Sequence, residues 1–279
     1  MVKSVRKTRL LGSSLAFIVI AIALVWTLYP LLWVVLSSFK PEQDQFAVPP
    51  VWLGSEVTLA NYYQFFHNSS FLKALVNSTV ITLSSTLLSL ALGIPTAYGI
   101  SRFKMRHKDA ISIGVLTIRM LPPIVMVLPI FLLARMFRLL DTYTVMIVVG
   151  AFFSIPFVIW MMRGFFDEIP PELEEAAMVD GSSRTYAMCR VILPLTAPGI
   201  AATSVLTALV VWNEFLYALV LTGTNTRTLP VLVNSFVSEK AVSWGVMSAA
   251  GVVTALPLVL FALMIQKHLI RGLTAGSIK

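Results

Sequence analysis

Six apolar runs alternate with polar intervals along the chain, over about residues 11–36, 75–100, 110–134, 143–163, 198–221 and 246–266. Each holds roughly twenty residues or more with few charges, the length an α-helix needs to cross a 30 Å hydrocarbon core. The first gathers Trp26, Tyr29 and Trp33 toward one end, as an interfacial aromatic belt does. The second carries Gly93, Pro95 and Gly99. The third is interrupted by Pro122-Pro123 and Pro129, the fourth holds Pro156 and the sixth Pro257. Such breaks are tolerated where neighbouring helices re-satisfy the freed backbone groups. So many of them predict an all-α polytopic bundle of six transmembrane helices around a cavity. The pattern divides the chain into a first span with a polar, aromatic loop (1–72), a core (73–267) containing a polar knob (164–196), and a short tail (268–279). Leu229-Pro230-Val231-Leu232-Val233 predicts an interfacial or re-entrant helix. Asn68-Ser69-Ser70 and Asn77-Ser78-Thr79 have glycosylation-acceptor spacing and are read as accidental.

The knob has a local chemistry of its own. Pro170-Pro171 suit a first helical turn, and Glu172, Glu174 and Glu175 suit the positive end of a helix. Ala176, Ala177 and Met178 are strong helix formers. Asp180-Gly181 ends that helix, with Gly181 free to take positive φ. Ser182 or Ser183 then caps a second helix running to about Ile192. Pro194 and Pro198 prevent its smooth continuation.

Composition fixes the environment. Of 279 residues 57% are hydrophobic and 12% charged, and the mean hydropathy is +0.86. A soluble domain of this size carries about twice that charge. The net charge of +8 is not a nucleic-acid signal, because the basic residues sit between apolar spans. Fourteen of the 21 Lys and Arg lie on one side: four before the first span, four in 102–108, three in 163–190 and three in 267–279. Six lie opposite (Lys40, Lys73, Arg135, Arg138, Arg227 and Lys240), and Arg119 is inside a span. The basic side is cytoplasmic by the positive-inside rule, which predicts both termini and the knob inside. One cysteine, Cys189, excludes an internal disulfide and fits a reduced compartment. His67, His107 and His268 lack metal-ligand spacing. There is no phosphate-binding Gly-x-x-x-x-Gly-Lys-Ser/Thr, no His-Glu-x-x-His and no Gly-x-Ser-x-Gly, so the chain offers no catalytic residues and no cofactor site.

Two polar features lie within spans. Trp212-Asn213-Glu214-Phe215 places a carboxylate in the fifth span, where it must face protein or water; it is either a buried helix-holding hydrogen bond or part of a cavity lining with Trp212, Asn213 and Tyr217. Arg119 sits about ten residues into the third span, roughly 15 Å deep. A central arginine costs about 2.5 kcal/mol or more on insertion scales. It is either paired structurally, with Glu214 the available acid, or turned to a substrate pathway, where it would favour an anionic or strongly polar ligand.

Glu175-Ala176-Ala177, three residues, Gly181, nine residues, then Val191 and Leu193-Pro194 resembles the EAA loop of ABC-importer permeases. The resemblance extends over nearly the whole chain, through Ser38-Phe39-Lys40-Pro41, Asp141-Thr142, Trp212-Asn213-Glu214-Phe215 and Arg271-Gly272-Leu273-Thr274-Ala275-Gly276. Together these are similar to the second permease of carbohydrate importers of the maltose, trehalose, polyol or glycerol-phosphate type. The resemblance implies a type I importer permease fold in a bacterial inner membrane and a docking loop for the ATPase built from Glu174, Glu175, Ala176, Ala177, Asp180, Gly181, Leu193 and Pro194. It implies a second homologous permease, two ATPase subunits that hold the ATP and Mg, and an extracytoplasmic solute-binding protein. Motion of the knob would reach spans three to five and alternate the access of the cavity. The competing class is a self-contained secondary transporter, which needs intramembrane acids for proton or sodium coupling, with Glu214 the only candidate, and usually shows internal repeats, of which the sequence shows none.

Overall fold

The computed structural model describes residues 2–52, 55–67, 70–236 and 243–275. Asn68-Ser69, Lys240 and Gly276-Ser277-Ile278-Lys279 lie outside the described residues. The helices are α1 (Val2–Ser38), α2 (Glu42–Gln45), α3 (Ala60–Phe66), α4 (Phe71–Arg102), α5 (Lys108–Thr117), α6 (Pro123–Met136), α7 (Tyr143–Asp167), α8 (Glu172–Val179), α9 (Arg184–Ala187), α10 (Leu193–Leu195), α11 (Ala197–Trp212), α12 (Leu216–Leu221), α13 (Leu229–Asn234) and α14 (Trp244–Ala275). Four described helices are long and apolar enough to cross a membrane: Ala16–Ser38, Phe71–Arg102, Tyr143–Asp167 and Trp244–Leu263. Counting each sharply bent pair as one span raises the number to six. One such pair is the predicted third span. Its two parts meet at 85°, where Pro122-Pro123 removes two N–H donors and Pro123 opens the new helix. Pro95, Pro129, Pro156 and Pro257 stay inside continuous helices.

Residues 1–68 with 233–255, and 69–232 with 256–279, form two compact units. In the first, Ser38-Phe39-Lys40-Pro41 makes a backbone clasp. The Asn61 side chain donates to the carbonyls of Ser38 (3.0 Å) and Lys40 (2.8 Å), and the Tyr62 and Ser38 hydroxyls meet at 2.8 Å. Trp52 packs edge-on against Tyr29 and Trp33, and the buried Lys40 lays its ammonium 4.2 Å over Trp33.

The second unit is built on α4 against α7. Ser85, Ser89 and Gly93 recur every fourth residue and form one stripe of α4. The Ser85 hydroxyl donates to the carbonyl of Ile147 (3.3 Å), and that of Ser89 to Ser85 (2.7 Å) and Ala151 (3.5 Å). Small residues let two helix backbones approach in a medium that offers no hydrophobic drive between them. Apolar cores flank this seam: Ile81, Met146, Val149, Val211 and Tyr217 toward one end, and Tyr98, Val158, Met162, Phe166 and Ile192 toward the other.

The turn between α6 and α7 holds Arg138 and Asp141 at φ 56°, a region where L-residues other than Asn and Asp are disfavoured. Asp141 repays that strain. Its carboxylate accepts from the backbone N–H of Gly223 (2.8 Å), Asn225 (3.1 Å) and Thr226 (2.9 Å) and from the Thr226 hydroxyl (2.8 Å). Burial opposes the charged form, but the Thr226 hydroxyl and the three N–H groups outweigh it and hold the Asp141 carboxyl at about 2. Because the folded value lies below the unfolded one of about 3.9, the stabilisation is fully present above pH 4 and is lost as pH falls through 2. It amounts to about 2 kcal/mol. Asp141→Asn keeps a residue that tolerates positive φ and removes the charge. Its thermal midpoint in detergent at pH 7 should fall by several degrees, with the gap to the unaltered protein closing below pH 3. Equal midpoints at pH 7 would remove the clasp from the account.

Candidate functional site

The knob folds as its residues dictate. Helix α8 starts after Pro171 and ends in a Schellman turn: Gly181 at φ 88° donates to the Met178 carbonyl and Ser182 N–H to that of Ala177, both at 3.1 Å. Ser183 accepts from the N–H of Tyr186 at 3.2 Å and caps α9. A π turn over Met188–Ile192, with Cys189 exposed, and the short α10 follow. The segment Arg184–Leu195 meets α11 at 77°, where Pro194 and Pro198 each stand in the first turn of a new helix.

The two adjacent glutamates separate. Glu175 is exposed, as are Ala176, Asp180, Gly181 and Pro194, while Ala177 and Leu193 are half-buried. Glu174 is 3% exposed. Its Oε1 accepts from the Tyr98 hydroxyl at 2.5 Å and lies 3.7 Å from Arg184 Nε; its Oε2 is 3.2 Å from Arg102 Nε. Arg102 also donates to the Ile169 carbonyl at 2.9 Å, and Arg184 stacks over Phe103. Besides Glu175, the exposed side chains of the knob include Leu173, Val179, Tyr186 and Leu195, of which Val179 is 86% exposed. Tyr98, Arg102 and Arg184, which hold the buried Glu174 from inside the chain, escape sequence reading. Tyr98 and Arg102, four residues apart at the end of a span, were the one legible sign of that contact.

The predicted continuous fifth span is instead broken at Asn213-Glu214-Phe215, between α11 and α12. Asn213 returns its amide to the Leu209 carbonyl (2.8 Å) and is exposed. Glu214 Oε1 accepts from the N–H of Tyr217 (2.8 Å), so its charge caps the opening turn of α12. The Tyr217 hydroxyl donates to the Pro123 carbonyl (3.3 Å), at the break of the third span, and its ring stacks on Phe153. Trp212, Glu214 and Tyr217 border a cavity of about 30 Å³ that also reaches Thr82 and Thr228, whose buried hydroxyls have no hydrogen bond among the described residues. That is room for a water, not for a sugar.

Arg119 stands apart, in a 3₁₀ turn over Ile118–Met120. It is exposed, with its guanidinium 5.1 Å from the Phe157 ring, and has no hydrogen bond or ion pair among the described residues. The pairing of Arg119 with Glu214 is therefore absent: the acid is spent on a helix terminus.

Residues 89–275 match the family described as "Binding-protein-dependent transport system inner membrane component". The sulfoquinovosyl glycerol transport permease of Agrobacterium fabrum is 34% identical over 269 residues, 96% of this chain and 94% of that one. The trehalose transport permease of Mycobacterium tuberculosis is 35% identical over 260 residues, 91% and 93% of the two chains. In fold, the chain superposes on a subunit of a bacterial ABC transporter that imports the acidic polysaccharide alginate, with a TM-score of 0.79 at 24% identity, over 94% of this chain and 97% of that one.

Proposed function

The chain belongs to the family of inner-membrane components of binding-protein-dependent transport systems, and from that footing we propose that it is the permease subunit of an ABC importer for a sugar or sugar derivative, coupled to its ATPase through the α8 knob. It forms the pathway with a second homologous permease. Two ATPase subunits bind the ATP and Mg, and an extracytoplasmic binding protein delivers the solute. Both termini and the knob face the cytoplasm. The trehalose and sulfoquinovosyl glycerol relatives support the sugar class.

One observation carries the coupling assignment: a short helix between two spans, closed by a Schellman turn at Gly181, leaves Glu175, Leu173 and Val179 exposed. A partner with an apolar cleft and a basic rim fits those side chains. ATP-driven closure of the ATPase dimer moves the helix as a unit and opens the pathway outward.

The unpartnered Arg119 supports a substrate with an anionic or strongly polar group, since guanidinium binds oxyanions through paired, charge-assisted hydrogen bonds.

Glu175→Lys should leave the protein in the membrane and lower ATPase recovery with the purified complex by tenfold or more, about 1.4 kcal/mol per factor of ten. Gly181→Pro, which removes both the positive φ and the N–H bonded to Met178, should do the same. Full ATPase recovery and unchanged transport in both variants would refute the docking assignment.

A further inference from the structure

Of the two glutamates at the start of α8, one is turned into the chain and buried. Glu174 Oε1 accepts from the Tyr98 hydroxyl, the carboxylate forms ion pairs with Arg102 and Arg184, and the side chain is buried. Tyr98 and Arg102 lie one turn apart on the last turns of α4. Arg102 reaches the Ile169 carbonyl as well, so one side chain fixes both the lead-in to α8 and its first turn. A buried, ion-paired charge tolerates little displacement, because separating it from its partners leaves it stranded out of water. Helix α8 cannot tilt unless the end of α4 follows.

The other end of α4 is fastened too. The buried Asn77 donates to the carbonyls of Asn225 (3.0 Å) and Arg227 (2.9 Å) and accepts from the Tyr143 hydroxyl (2.5 Å). The Ser78 hydroxyl accepts from the Leu229 N–H (2.8 Å). These bonds hold the same 222–228 loop that Asp141 clasps. From Ser78 to Tyr98 the helix is continuous, about 30 Å at 1.5 Å per residue, which is the thickness of the hydrocarbon core. Ser101 donates to Asp167 at 2.5 Å, which ties the inner end of α7 to that of α4.

We infer that Glu174 is a positioning residue, a tether that makes α8 and α4 one lever, and that α4 carries the stroke of the coupling helix to the 222–228 loop on the opposite side of the membrane. This rests on the α8 docking assignment and adds the direction of transmission: span two leads, where the sequence points to spans three to five. Packed helices move in this way by small rigid shifts of whole elements.

The test uses the assembled transporter, with its binding protein, in sealed vesicles, and reads solute moved per ATP hydrolysed. Tyr98→Phe removes one hydroxyl from the tether, and Asn77→Ala removes the far attachment. Each should leave ATPase recovery with the complex unchanged and lower transport per ATP at least fivefold. The double variant should be little worse than either single one, because two cuts in one lever are not additive. Glu174→Gln should share the phenotype and Glu174→Asp should regain part of it. Normal transport per ATP in Tyr98→Phe overturns the tether. Lost ATPase recovery in Glu174→Gln, with Tyr98→Phe normal, overturns it in favour of direct docking by Glu174. Failure of the docking assignment itself is seen separately, in Glu175→Lys.

Discussion

Gly93→Leu is expected to cut the yield of monodisperse protein after detergent extraction at least tenfold, while the chain still reaches the membrane. A Cβ at position 93 would lie 2.6 Å from Val158 Cγ1 and 2.9 Å from Val158 Cβ. Both are anchored near the backbone of α7, so neither yields by a simple rotation. The seam has no slack nearby: a Cβ at Gly150 would meet Ser85 Oγ at 2.7 Å, and the Ser85 and Ser89 hydroxyls donate across the same contact. Overpacking a tight core costs about 1–3 kcal/mol and occasionally more. Here relief by separation would also break two interhelical hydrogen bonds in a place without water. Gly93→Ala should fall between, since only Val158 must shift. Gly114→Leu is the control, because nothing lies within 4 Å of a Cβ at that position. Size-exclusion profiles of the three extracts decide it, and a monodisperse peak of normal height for Gly93→Leu would show that α4 and α7 are not this close.

Much of the knob was legible because its determinants are local. Proline, an acidic first turn, alanines and Asp180-Gly181 specify helix and stop within one another's reach, and the Schellman turn and the Ser183 cap form where the residues call for them. The break of the third span was legible for the same reason, in Pro122-Pro123. The break of the fifth was not. Trp212-Asn213-Glu214-Phe215 contains no proline or glycine and sits in an apolar run, so its pattern is that of a helix. The chain departs from helix there because Asn213 and Glu214 can bond backbone groups in place of the helical ladder. Nor could the sequence say which of Glu174 and Glu175 turns inward. Neighbours on a helix point about 100° apart, and the choice is made by Tyr98 and Arg102, more than seventy residues away in the chain.

Arg119→Gln is expected to lower transport at least tenfold with little change in the amount of folded complex. No acid among the described residues pairs with Arg119. Phe157 offers it a ring face, worth about 0.5–2 kcal/mol, which does not match the cost of a guanidinium deep in a span. Glu214 does not neutralise it, since its Oε1 is bound to the N–H of Tyr217. On the anion reading the compensating oxygens come from a ligand. A solute bearing a phosphate, sulfonate or carboxylate supplies them in the planar or tetrahedral geometry that a guanidinium fits. Arg119→Lys keeps the charge and loses the paired donors, and it should retain part of the transport. The measurement is uptake of a charged sugar and of its neutral counterpart by vesicles holding the complex. Uptake of both that is untouched by Arg119→Gln would defeat the anion reading. So would a loss of folded complex in Arg119→Gln that Glu214→Gln restores, because that rescue would make the two residues a structural pair.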